Sequence, residues 1–548
     1  MTGPLQSILR TGSGHEIRIQ ALGQGPALVM CHESPRSSSA LLPLANRLAD
    51  RFTCVMVDTP GFGLSDALHM TRPEIPDFAN LLLEVTGALG LQQVPYYGTH
   101  TGAAIAVEAA VQAPERVSAA ILDGYAIFTA EERDQLLASY LPAFRPSMDG
   151  ALAAWLWARV RDQFTAFPWN QVGDGSKLGF GPPSLSAMQR VVDDFLLADD
   201  AYRAGYSAAF RYDHFAPLGK TDRPLHIVTR EDDLLFAHME RARGAGEHMH
   251  LHPLSADRHA WAEKIADIAQ AHAAGEPMDQ HEIVRRAAAH PGGRRIATTS
   301  AGPVVTRVDG TGETVVLLHD VPGGMADLDH VVQRLERSFE VVRVNLPGLG
   351  ASRLAENATG TLETLFEGVA EALAEAGAKG APVVAFGASL PVALELEDAD
   401  RVIAIDPWTQ VASNAAGHVP DLIPDWDGSH LMAAFWWARD YEIYKPWYNR
   451  VNAELRALGN ERDTARVHHR FRANVLSGNQ GADIAKVLYR SDCGEKIKAR
   501  DVQVLIYDSD PDADRIQDWA NRRLDPAHIH RVPRAPQDLV PALTGFLT

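Results

Sequence analysis

The chain is 548 residues long, 46% apolar and 22% charged, enough for two domains that each bury a full core. Its net charge of −19, with no run of Lys or Arg, argues against a nucleic-acid surface. Three scattered cysteines (Cys31, Cys54, Cys493) are too few for a disulfide framework, the N-terminal stretch has no apolar signal core, and no run of about 18 apolar residues occurs. A soluble cytoplasmic protein is expected, with no membrane partner.

In chain order, Ala27–Met30, Thr53–Val57, Val94–Tyr97, Ala119–Leu122 and Leu225–Val228 are short runs rich in branched residues. They read as strands buried on both faces, as in a parallel sheet. Leu41–Ala49, Asp77–Leu89 and Thr101–Ala113 read as the helices between them. Such alternation predicts an α/β fold with right-handed crossovers. From about Ala130 to Tyr212 the alternation stops; that helical stretch carries Trp155, Trp157 and Trp169 and reads as a lid inserted over the sheet.

The sequence then repeats itself. Val29-Met30-Cys31-His32 and Pro60-Gly61-Phe62-Gly63 return as Val316-Leu317-Leu318-His319 and Pro347-Gly348-Leu349-Gly350, both at an offset of 287. In the lid, Asp149-Gly150, Arg161-Asp162 and Pro168-Trp169 return as Asp427-Gly428, Arg439-Asp440 and Pro446-Trp447, all at an offset of 278. Constant offsets over such stretches point to duplication. The expected domains are 1–275, a linker at 276–293 rich in Gly, Pro and charge, and 294–548 with its own lid at about 410–490.

Five motifs carry the chemistry. Gly98-Thr99-His100-Thr101-Gly102-Ala103, between a strand and a helix, has the layout of a nucleophile elbow with histidine at its tip. His32-Glu33-Ser34-Pro35, Asp58-x-Pro-Gly-x-Gly-x-Ser65, Thr229-Arg230-Glu231-Asp232 and the loop of His259 accompany it in order. Each half thereby resembles the α/β-hydrolase fold family, and the first is similar to a subgroup whose elbow reads Gly-x-His-Thr-Gly-Ala. The resemblance implies two tandem α/β-hydrolase domains. It implies a catalytic set of His100, His259 and Asp232, with the main-chain N–H groups of Ser34 and Thr101 as the oxyanion hole. Asp123, ending a strand, is the alternative acid.

Histidine at the tip admits several roles. A neutral imidazole attacks an acyl group directly, or it takes a proton from substrate or water. Joined with His32 and His259 it could bind a metal, although the three come from distant loops and no metal or other cofactor is expected. An inert elbow kept for packing is the remaining reading. In the second half, Gly387-Ala388-Ser389-Leu390-Pro391 reads as an elbow with Ser389 at its tip and Asp510 as its acid, Asp406 being the alternative. No histidine follows His530, and Pro536-Gln537 stands where the first half has Arg258-His259, so this domain is expected to be degenerate. Asp149 and Trp169 are candidate lid contacts to substrate, or else helix cap and filler.

The expected function is a hydrolase acting on an ester, thioester, amide or activated carbon–carbon bond of a small molecule. A lyase or cyclase using the same pocket, and a non-catalytic binding scaffold, are the alternatives. A homo-oligomer is compatible with the sequence.

Overall fold

The computed structural model describes residues 3–171, 173, 177–178, 181–408, 410–456, 463–533 and 536–547. The chain divides into two compact units, Met1–Arg145 with Leu156–Gly292, and Pro146–Trp155 with Gly293–Thr548.

The strands of the first unit are β1 (Leu5–Arg10), β2 (Glu16–Gly25), β3 (Ala27–Cys31), β4 (Thr53–Val57), β5 (Val94–Thr99), β6 (Val117–Asp123), β7 (Leu225–Arg230), β8 (Met249–Leu254) and the short β9 (Met278–Asp279). They form one sheet in the order β1-β2-β4-β3-β5-β6-β7-β8, with β9 paired to β2. From β4 through β8 the pairing is parallel, and β1 and β2 join antiparallel. Every residue of β3 and β4 is buried, because helices cover both faces. The five runs singled out in the sequence are all strands, and the three helices form as Leu42–Leu48, Ile75–Ala88 and Thr101–Gln112.

The second unit holds β10 (Arg294–Thr299), β11 (Gly302–Gly310), β12 (Glu313–Leu318), β13 (Phe339–Val344), β14 (Val383–Phe386), β15 (Val402–Ile405), β16 (Val502–Tyr507) and β17 (Ile529–Val532). Their order, β10-β11-β13-β12-β14-β15-β16-β17, matches the first sheet strand for strand. Val29 faces Tyr96 in the first sheet and Val316 faces Val383 in the second, so the offset of 287 fixes the same cross-strand register in both.

Two expectations about segments change. The stretch 276–293, expected as a linker, carries β9 and a helix, Gln280–Ala288, whose Ile283 and Ala287 are buried within the first unit. Its apolar spacing is that of an amphipathic helix, and its Gly and Pro residues lie outside the helix. The lid stretch is helical over Ala130–Ser139, Ala151–Asp162, Leu185–Ala198 and Tyr202–Arg211, yet residues 146–155 group with the second unit. The outer strands β1, β2 and β8 escaped the sequence reading. In β8, Met-His-Leu-His-Pro-Leu alternates polar with apolar and holds a proline, as an edge strand tolerates.

Candidate active site

The parallel strands deliver their loops to one end of the first sheet, the end where α/β sheets bind ligands. At the end of β5 the chain turns sharply into the helix Thr101–Gln112, and His100 sits at the tip with φ +48° and ψ −108°. The turn needs both of its glycines. A Cβ on Gly98 would lie 2.1 Å from the Gly102 carbonyl oxygen, and one on Gly102 2.4 Å from that of Cys31. The His100 main-chain N–H donates to the carbonyl of Asp123 (2.9 Å), pinning the strained residue to β6.

The imidazole of His100 is paired with the carboxylate of Asp233, Nε2 to Oδ2 at 3.1 Å, with side-chain exposures of 29% and 15%. Burial opposes protonation of the ring. The charge and hydrogen bond of Asp233, aided by Glu33 and Asp123, outweigh it and raise His100 to about 9. Asp233 moves the opposite way: burial raises it, but His100 and the Leu235 N–H hold it below the usual carboxylate range. At neutral pH the pair is therefore an imidazolium–carboxylate couple. Behind it, the Asp123 carboxylate accepts from the Tyr97 hydroxyl (2.7 Å) and the Trp261 indole (2.9 Å), and burial lifts it to about 6.

His100 and Thr101 line a cavity of about 220 Å³ together with Glu33, Ser34 and Arg36. Its remaining walls are mostly apolar and rich in aromatic rings, including Phe128, Tyr140, Phe167 and Tyr206. Arg36 bridges Asp194 (2.7 Å) and Glu33 (3.7 Å). Among the described residues, neither the Ser34 nor the Thr101 main-chain N–H has a protein partner, so both are available to an oxyanion.

Several expected residues fall elsewhere. Asp232 is exposed and paired with Arg230 (2.8 Å); the residue facing His100 is Asp233, one position on. The turn after β7, closed by the Asp233 N–H on the Arg230 carbonyl (3.0 Å), rotates Asp232 outward and Asp233 inward. His259 is exposed in the first turn of the helix Arg258–His272, and the side chain that helix sends toward the site is Trp261, two residues later. His32 has both ring nitrogens committed, Nδ1 to the Glu33 carbonyl and Nε2 to the Thr59 N–H, so it cannot join a metal with His100. Asp149 is exposed, accepts from the Ala151 N–H (3.0 Å) at the start of a helix, and groups with the second unit. Trp169 donates to the Tyr140 carbonyl (3.0 Å) and lies over Arg159, apart from the described cavity wall.

In the second unit the tip is two residues earlier than the sequence suggested. Gly387, with φ +56°, occupies the position of His100, as the 287-residue register requires. Ser389 is fully buried, its hydroxyl donating to the carbonyls of Phe386 (2.9 Å) and Leu318 (3.2 Å). A Cβ on Gly387 would lie 2.0 Å from the Asp320 carboxylate, which stands at the loop position of Glu33. That carboxylate accepts from the N–H groups of Ala388 and Val321 (2.7 Å each), the counterparts of Thr101 and Ser34. Tyr441 also donates to it. Asp510 occupies the place of Asp233 but pairs with Arg456 (3.4 Å), and Asp406 pairs with Lys445 (2.8 Å). Asp406, Asp510 and Asp512 cluster closely, with Lys445 and Arg456 supplying cations among them. His530 lies against Gln503, and the side chains of Pro536 and Gln537 lie outside the described residues.

Residues 26–156 match the family described as alpha/beta hydrolase fold. The fold is that of the α/β hydrolases. Among curated proteins, the chain is 33% identical over 100 residues to haloalkane dehalogenase 2 of Mycobacterium tuberculosis (strain ATCC 25618 / H37Rv), which is 18% of this chain and 35% of that protein. It is 31% identical over 105 residues to the 2-(acetamidomethylene)succinate hydrolase of Mesorhizobium japonicum, 19% of this chain and 37% of that protein. The match thus spans about a third of each relative's length. A crystal structure of E-2-(acetamidomethylene)succinate hydrolase overlays 49% of this chain and all of its own, at 18% identity and a TM-score of 0.39. In this α/β-hydrolase frame the acid loop after β7 and the elbow after β5 meet directly, with no third residue between them. Sequence reasoning missed Asp233 and Trp261. Asp233 was legible as half of an Asp-Asp pair whose choice depends on one turn. Described helices, for their part, include none long and apolar enough to cross a membrane.

Proposed function

We propose that the first unit is a cofactor-independent hydrolase of small acyl compounds in which His100–Asp233 acts as an acid. The observation that carries this reading is the 3.1 Å contact between His100 Nε2 and the Asp233 carboxylate at the elbow tip, inside a cavity flanked by two free main-chain N–H groups. An imidazolium has no lone pair with which to attack, so direct acyl transfer to His100 is disfavoured at neutral pH. It has a proton to give. With Nε2 held by Asp233, Nδ1–H remains for the substrate oxygen, and the N–H groups of Ser34 and Thr101 share the developing charge. Water then attacks the carbonyl, and Glu33, the carboxylate among the described lining residues, receives its proton. His100 passes its proton to the leaving group as the tetrahedral intermediate collapses.

Esters, thioesters and amides all suit this scheme, and the aromatic walls favour an apolar acyl or leaving group. Of the two named relatives, one is by name a haloalkane dehalogenase and the other a 2-(acetamidomethylene)succinate hydrolase, and a hydrolytic reading of this unit accords with the second. The same donor without water would serve a lyase or cyclase, a reading favoured by the absence of a hydroxyl or thiol at the tip. We read the second unit as non-catalytic, since its tip is glycine and Asp320 already fills the N–H pair.

A pH–rate profile on a panel of short acyl esters tests the central point. A proton-donating His100 gives activity that falls as pH rises through about 9. Activity that instead rises through that range would mark His100 as a nucleophile or base and overturn the acid role.

A further inference from the structure

Away from this site, four histidines gather at the far edge of the first sheet. His226 lies on β7, His250 and His252 lie two apart on the edge strand β8, and His272 ends the helix Arg258–His272. His226 is buried and sits at the centre. Its Nε2 lies 3.1 Å from Nε2 of His272, and its Nδ1 lies 3.1 Å from Nε2 of His252. The His250 ring stacks on it with centroids 4.8 Å apart.

We propose that this cluster is a binding site for a borderline divalent transition metal, Zn²⁺ above all, with His226 and His272 as ligands through Nε2. Two nitrogens on one tetrahedral ion at about 2.0–2.1 Å stand roughly 3.3 Å apart, so the observed pair is already spaced as an edge of that polyhedron. The other side of His226 completes the arrangement. A ligating imidazole donates its second N–H to an acceptor that fixes the ring, and Nε2 of His252 stands at that distance from Nδ1. His250 packs against the ring face and holds its plane. All-imidazole donors select zinc, nickel, cobalt or copper over magnesium and calcium.

His272 and His252 are only partly buried, which leaves an entry path and room for water at the remaining coordination positions.

Calorimetric titration of the chelator-treated full-length chain with ZnCl₂ at pH 7.5 decides the matter. The expectation is one equivalent bound, no heat from MgCl₂, and a zinc-dependent rise in the thermal midpoint. His272→Gln should remove that equivalent. His252→Ala should weaken it about 10- to 100-fold, as loss of an orienting partner does. His69→Gln, which alters a histidine elsewhere on the surface, should leave it unchanged. His272→Gln leaves the partly buried helix end otherwise intact, and circular dichroism checks that the variant is folded. Zinc binding that is absent from the parent chain, or equal in the parent and His272→Gln, overturns the proposal.

Discussion

His100 combines a strained backbone with a charged side chain, and the two can be separated by substitution. Its φ of +48° is a conformation glycine adopts freely, and the second unit uses Gly387 at +56° in the same place. His100→Gly is therefore expected to fold and to lose turnover, with circular dichroism checking the first and ester hydrolysis the second. Asp233→Asn should lower the His100 pKa from about 9 toward 6.5 and carry the alkaline limb of the pH profile down with it. Asp232→Asn, altering a surface partner of Arg230, should leave that limb in place. Gly124 offers a steric test. A Cβ there would lie 2.5 Å from Cδ2 of His100, so Gly124→Ala should displace the ring and reduce kcat by about tenfold or more.

Among the elements, the loop after β3 and the turn after β5 behave as one device in each unit, with opposite outcomes. In the first, His100 takes the tip and leaves the two N–H groups open. In the second, glycine at the tip leaves a gap that the Asp320 carboxylate fills, consuming both N–H groups. Asp320→Ala should leave those donors and Tyr441 without their acceptor and destabilise the protein by about 1–3 kcal/mol, read as a lower urea midpoint. Ser389 should resist a fluorophosphonate probe, since its hydroxyl is buried and engaged by two carbonyls. The five central strands were legible because runs buried on both faces are continuously apolar. The edge strands β1 and β8 were not, because a half-exposed strand mixes polar and apolar residues as a loop does, and β2 was not because its buried stretch Glu16 to Gln20 also alternates charged or polar with apolar residues.

For the whole molecule, two units of matching strand order hold one candidate site, so a substrate analogue should bind with one equivalent per chain in a calorimetric titration. Stability should also follow the charge of the pair. Because the folded His100 titrates at about 9 and an unfolded histidine near 6.5, the contribution of the pair is complete below about 6.5 and lost as pH rises through about 9. A thermal midpoint that declines over that range in the parent chain but not in His100→Gly is the expected result.

The sequence by itself determined the α/β alternation, the elbow with histidine at its tip, and the shared register at an offset of 287, because apolar period and turn-forming glycines are local properties. It also placed Asp123 at the end of its strand and Asp510 in the acid loop. Only the tertiary structure decided that Asp233 and not Asp232 meets His100 and that Trp261 and not His259 turns inward. Each of these depends on a rotation of one or two residues about a turn or helix end. Motif spacing fixes the loop that reaches a site, whereas the side chain that enters it is chosen by the turn's hydrogen bonds and by what the neighbouring strands leave room for.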